Sequence, residues 1–155
     1  MKNYEINCET LVIYPYDKGI SKVVEENNEF IVYKNVSSII NNSCKYFGSS
    51  YQGRINGSKN ILGSTHKLPI IVETINKIIF FPTTSARNEK CMWISLNLIE
   101  NYEKLKDNKT IIKFYCGKSI KIDIPYQIIN NQILRATRLE SVYEKRIQKL
   151  EKNKN

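Results

Sequence analysis

The 155-residue sequence predicts an α+β fold: an antiparallel β-sheet with two central helical segments and a C-terminal amphipathic helix. Three patterns predict it. Short runs of β-branched and aromatic residues are bounded by turn formers in the first third of the chain and again after Leu68. Between them the apolar spacing changes to three and four residues, at Val36, Ile39, Ile40, Cys44 and Phe47. The same spacing returns at Ile129, Ile133, Ala136, Leu139, Tyr143, Ile147 and Leu150.

Taken in order, residues 9–16 and 29–34 read as strands, and Asp17-Lys18-Gly19 and Glu26-Asn27-Asn28 as the turns of an opening antiparallel meander. Asn35 is placed to cap the first helix and Gly48 to stop it. A second helical pattern follows, with Tyr51, Ile55, Ser58 and Leu62 on one side, a smooth strip of Ser50, Gly53 and Gly57 beside it, and an end near Gly63. Two interior glycines cost about 1 kcal/mol each relative to alanine. The segment is therefore either a loop or a helix that another backbone approaches closely, a neighbouring helix or a DNA phosphate ribbon. A hairpin is expected from Leu68 to Glu73 and Lys77 to Phe81, closed by Pro82, then an exposed donor-rich loop from Thr83 to Lys90. Met92 to Ile99 and Thr110 to Ile124 resume strand patterns, the second as a hairpin turning at Gly117-Lys118. Pro125 suits the first turn of the final helix, whose other faces carry Arg135, Arg138, Lys145, Arg146 and Lys149. This divides the chain into one domain over 1–140 and a basic helical tail over 141–155 that frays at its end. The stripe towards Leu150 is either core or a dimer seam.

Charge narrows the function. The net charge is +9, and Ser43 to Trp93 hold Lys45, Arg54, Lys59, Lys67, Lys77, Arg87 and Lys90 against only Glu73 and Glu89. Residues 1–42 instead carry 4 basic and 6 acidic groups, so the first third is not expected to meet a polyanion. No secretion signal and no run of about 18 apolar residues is present, which reads as a cytoplasmic, nucleoid-associated protein with no membrane partner. Cys8, Cys44, Cys91 and Cys116 are scattered, without the spacing of a zinc site or a disulfide framework, and no metal or cofactor is expected. Gly48 and Gly53 have the spacing of a phosphate-binding loop, but Arg54 and Ile55 occupy its lysine and hydroxyl positions. His66 is the only histidine, and no Ser or Cys is bracketed by a base and an orienting acid, so the chain is not read as an enzyme.

Nucleic-acid binding fits the block better. Arg54, flat and weakly hydrated, is the candidate for insertion into a narrow A·T minor groove, with Arg87 as a second. Lys45, Lys59, Lys67 and Lys90 are candidate phosphate clamps, and Gln52, Asn56 and Asn60 can read the groove floor as A·T against G·C. His66 either contacts phosphate or is structural. Tyr46, Phe47, Tyr51 and Trp93 are assigned to the core. The rival readings are an RNA- or single-strand-binding protein and an interaction adaptor whose basic face meets an acidic protein. A helix-turn-helix over 36–47 and 50–62 stays open, although its glycines make a poor major-groove reader.

The run SCKYFGSSYQGR over residues 43–54, then His66-Lys67-Leu68-Pro69-Ile70, Phe81-Pro82-Thr83, Trp93-Ile94-Ser95 and Asn131-Gln132, resembles the ComK family of bacterial competence transcription factors. The similarity runs from about Tyr4 to about Arg138. The resemblance implies a DNA-binding activator that recognises paired A·T-rich boxes and switches on genes for DNA uptake, which matches the minor-groove reading of Arg54. It further implies a homo-oligomer on double-stranded DNA, a contact with RNA polymerase and an adaptor–protease system acting through a longer C-terminal extension; the sequence here ends at Asn155.

Overall fold

In the computed structural model, which describes residues 1–152, strand β1 (Thr10–Asp17) turns into β2 (Ile20–Glu25), and β3 (Glu29–Val32) completes the opening meander. Helices α1 (Val36–Tyr46) and α2 (Tyr51–Leu62) follow, then the hairpin β4 (Ile70–Glu73) and β5 (Ile78–Pro82) and the short β6 (Trp93–Ser95). A second meander, β7 (Ile99–Leu105), β8 (Lys109–Phe114) and β9 (Ser119–Ile122), leads into the long helix α3 (Tyr126–Lys152). Strands pair antiparallel in two sheets, one ordered β3-β2-β1-β6-β5-β4 and one ordered β7-β8-β9. The predicted α+β class is the observed one. The fraying expected at the end of the chain falls in part on residues 153–155, outside the described residues.

The larger sheet is covered on both faces, whereas antiparallel sheets commonly leave one face to water. That is why β4 and β5 read as unbroken apolar runs. Ile78 and Phe80 join a cluster with Ile39, Ile40 and Cys44 of α1 and Ile55 of α2. Ile79 and Phe81 point the other way, to Ile112, Phe114 and Ile122 of the smaller sheet and Ile129, Ile133, Ala136 and Leu139 of α3. A register shift between Thr10 and Val12 in β1 lets Leu11 and Val12 both enter this second cluster. The layers are therefore α1 with α2, the six-stranded sheet, and the three-stranded sheet with α3.

The helix ends are fixed locally. Asn35 Oδ1 accepts from the Ser38 amide at 2.8 Å, and Ser50 Oγ from the Gly53 amide at 3.0 Å. Gly48 at φ +86° and Gly63 at φ +67° close the two helices in a conformation that costs a side chain but not glycine. The amide of Tyr51 donates to Asn41 Oδ1 at 3.0 Å and ties α2 back onto α1.

Two expectations need correction. The strand expected over Met92 to Ile99 is confined to β6, Trp93–Ser95, and the rest is a corner: the Leu96 amide still bonds Ile79 O of the larger sheet at 2.8 Å, and β7 of the smaller sheet begins at Ile99. Asn97 holds the corner, its amide donating to Lys77 O at 2.8 Å and to Glu140 Oε2 at 2.6 Å. Tyr46 is 69% exposed rather than core, packed edge-on against Phe47 with ring centroids 5.2 Å apart.

Candidate nucleic-acid interface

The first turn of α1, the side of α2 and the segments 65–68 and 85–87 enclose a groove of about 940 Å³. Its floor is apolar, from Ile40, Tyr51, Ile55, Leu68 and Trp93, and its rim is polar, from Asn35, Ser37, Ser38, Asn41, Gln52, Lys59, His66, Lys67 and Arg87. Among the described residues no carboxylate lines it. A neighbouring cavity of about 830 Å³ shares Asn35, Ser37, Ala86, Arg87 and Trp93 and adds Lys18 and Lys90, with Asp17 and Glu89. Arg87 belongs to both and stands on the ridge between them.

Five sequence-predicted residues thus come together in one groove: Gln52, Lys59, His66, Lys67 and Arg87. Lys90 lines the adjoining cavity. Lys45 is exposed near the far end of α1, and Asn56, also exposed, accepts from Gln52 Nε2 at 3.0 Å; neither lines the groove. Arg54 is turned elsewhere. Its Nη2 lies 3.5 Å from Val72 O on the edge strand β4, and its Nε is buried without a partner. The guanidinium favours the ionised form of Cys44, but burial outweighs it and pushes that thiol up to about 11.

The aromatic residues form the floor rather than a stacking platform. Trp93 is buried, and Tyr51 meets it edge-on at 6.1 Å with an interplanar angle of 88°. The two interior glycines of α2 differ: among the described residues a Cβ at Gly57 would meet nothing within 4 Å, whereas one at Gly53 would stand 2.9 Å from Ser49 Oγ and 3.3 Å from the capping Ser50 Oγ, too close unless those hydroxyls shift. No neighbouring helix backbone approaches either, which removes the internal explanation offered for the smooth strip. The helix is held instead by its caps, by Ile55, and by Ser58 Oγ donating to Pro69 O at 2.6 Å.

Two residues that shape the groove come from α3, outside its walls. Arg135, expected on a solvated basic face, donates from Nη2 to His66 O at 2.6 Å and Ser64 Oγ at 3.1 Å, and from Nη1 to Lys67 O at 2.9 Å and Gln132 Oε1 at 2.7 Å. Gln132 is buried and donates to Lys67 O at 2.9 Å and Pro82 O at 2.7 Å. One signal was there: Gln132 occupies a helical position between Ile129 and Ala136, a polar residue on the apolar stripe.

All three ion pairs among the described residues lie elsewhere: Lys22–Glu29 at 3.2 Å, Lys77–Glu144 at 3.0 Å and Lys113–Glu100 at 3.7 Å. None uses a groove cation. Among the described residues no helix is long and apolar enough to cross a membrane. The groove gathers cations, amides and hydroxyls over an apolar floor, with no carboxylate on its walls among the described residues, a charge balance complementary to a polyanion.

The chain belongs to the ComK family, whose model, described as ComK protein, matches residues 1–148. It is 33% identical over 150 residues to the competence transcription factor of Bacillus subtilis (strain 168), an alignment that covers 95% of this chain and 78% of that protein. No solved structure matches it.

Proposed function

We propose that this chain activates competence genes by occupying A·T-rich boxes in duplex DNA, with phosphates seated along the groove and a guanidinium in the adjoining minor groove. The observation that carries the reading is the convergence of Lys59, Lys67, Arg87, His66 and Gln52 on a groove without carboxylates, in a chain of the ComK family. Arg87, exposed on the ridge between the two cavities, is better placed for insertion than Arg54, whose head is committed to the carbonyl of Val72. Lys59 and Lys67 act as phosphate clamps, joined by Lys90 in the adjoining cavity. Gln52 offers an amide at the groove rim. Function is by occupancy rather than bond chemistry. Paired boxes call for a second copy on the DNA, and activation for a contact with RNA polymerase.

Fluorescence anisotropy with A·T-rich duplex, G·C-rich duplex, an RNA hairpin and a single strand, each titrated across a salt series, tests this. The A·T-rich duplex is expected to bind tightest. If about five phosphates are neutralised per protomer, log K falls against log salt with a slope of about −4 to −5. Equal binding to every duplex removes the A·T reading. Preference for the hairpin or the single strand replaces it with the RNA or single-strand one.

A further inference from the structure

We infer that Arg135 and Gln132 are positioning residues for DNA binding: from a helix that does not line the groove they hold segment 64–67 so that His66 and Lys67 are presented to the phosphates. The inference rests on the DNA-binding reading above. Between Gly63 and Ile70 the chain has neither helix nor strand, so its carbonyls lack the regular partners a ladder supplies. Those of His66 and Lys67 are taken up by α3, by Arg135 at 2.6 and 2.9 Å and by Gln132 at 2.9 Å. Gln132 also binds Pro82 O, at 2.7 Å, and so ties the same segment to the end of β5, from which the Arg87 loop departs. The Arg135 fork thereby holds segment 64–67 and, through Gln132, links it to the strand end that leads into the Arg87 loop.

The geometry suits arginine alone. Nη1 and Nη2 each serve two acceptors on diverging lines, which the single ammonium of a lysine cannot reproduce. Lys67 itself sits at φ +48°, a conformation that a lysine keeps where its surroundings fix it. Because both the donors and the carbonyls they hold are spoken for, Arg135 acts through the segment and not as a phosphate contact. A segment ordered in advance spares DNA binding the loss of freedom that ordering it on contact would require.

Arg135→Lys keeps the charge and removes the fork. It is expected to weaken A·T-duplex binding about tenfold, to flatten the salt slope by about one unit as the Lys67 contact is lost, and to speed amide hydrogen exchange across 64–67. In a His66→Ala/Lys67→Ala background the same substitution is expected to cost less than about twofold, because the groups it positions are gone. Wild-type affinity in Arg135→Lys, or an undiminished loss in that background, overturns the inference while leaving the DNA reading intact. A wild-type chain that binds no duplex overturns both. Ser64→Ala removes one acceptor of the fork and is expected to speed exchange over 64–67, which keeps the test open should Arg135→Lys not fold; unchanged exchange there counts against the positioning role.

Discussion

The two faces of the central sheet bury comparable apolar clusters and treat their outer charges in opposite ways. On the side of α3 and the smaller sheet, charged groups find partners within the chain: Lys77 with Glu144, Lys113 with Glu100, Arg146 Nη1 with Asn60 Oδ1 at 2.9 Å, Lys118 Nζ with Glu25 O at 2.7 Å. On the side of α1 and α2, Lys59, Lys67 and Arg87 surround a groove that no carboxylate of the described residues lines. Exposed ion pairs contribute only about 0 to 1 kcal/mol, so pairing the groove cations would gain the fold little. Leaving them unpaired costs some self-repulsion and keeps their charge available to a partner. On the proposed reading, the cations without a partner mark the face that meets DNA.

The sharpest way to break this contrast is to strip charge equally from both faces. Lys59→Ala/Lys67→Ala/Arg87→Ala is expected to lower DNA affinity by about 10²-fold or more and to flatten the salt slope by nearly three units. Folding stability should change by no more than about 1 kcal/mol, since Lys59 and Arg87 are exposed, Lys67 is half-buried, and none of the three is in an ion pair among the described residues. Lys77→Ala/Lys113→Ala/Lys121→Ala removes the same charge from the other side and is expected to leave affinity within about twofold. Equal losses in parallel anisotropy titrations would mean that net charge, not the groove, governs binding.

A smaller effect separates stability from binding at the far edge of the molecule. Glu25 is buried, and its carboxylate accepts from the Tyr4 hydroxyl and from Asn7 Nδ2 at 2.9 Å. Burial first, and then the hydrogen bond to Glu25, push the ionisation of Tyr4 well up. Tyr4→Phe leaves that carboxylate short of a donor and is expected to cost about 1–3 kcal/mol in denaturant unfolding, with DNA affinity unchanged. The pH dependence has a definite sign. Above about pH 10 an unfolded tyrosine ionises while the folded one stays protonated, so the Tyr4 contribution is complete below that pH and is lost as pH rises further. Tyr4→Phe should lack this alkaline component.

Local signals made much of this legible in the sequence. The Asn35 cap, the Gly48 and Gly63 stops, the β4–β5 hairpin and the donor-rich loop after Pro82 all depend on residues near one another in the chain. What stayed hidden depended on distant ones. Strand β7 half-buries Ile99, Tyr102 and Leu105, every third residue instead of every second, and a register shift between Ile99 and Asn101 breaks the alternation over its first step. Arg54 stands in the basic, carboxylate-poor block, yet successive helical residues point about 100° apart. Which of Gln52, Arg54 and Lys59 enters the groove depends on the strand that α2 lies against. The segment holding His66 and Lys67 has no periodicity of its own, and its shape is set by Gln132, 65 residues beyond Lys67.

The smallest effect tests how far the interface wraps around α2. Gly53, Asn56 and Gly57 are exposed, round the helix from Tyr51 and Ile55, and among the described residues nothing lies within 4 Å of where a Cβ at Gly57 would stand. An alanine there fits without strain and raises helix propensity, so Gly57→Ala is expected to stabilise the fold by about 0.5–1 kcal/mol, or about 2–4 °C in thermal midpoint. A glycine kept at that cost, with nothing inside the molecule requiring it, is consistent with a partner's backbone passing close to the helix. The same substitution should then weaken binding to the A·T-rich duplex severalfold while the fold becomes firmer, opposite signs that loss of structure cannot produce. A firmer protein with unchanged affinity would confine the contact to the groove between α2 and the two loops, and leave the smooth side of the helix facing water.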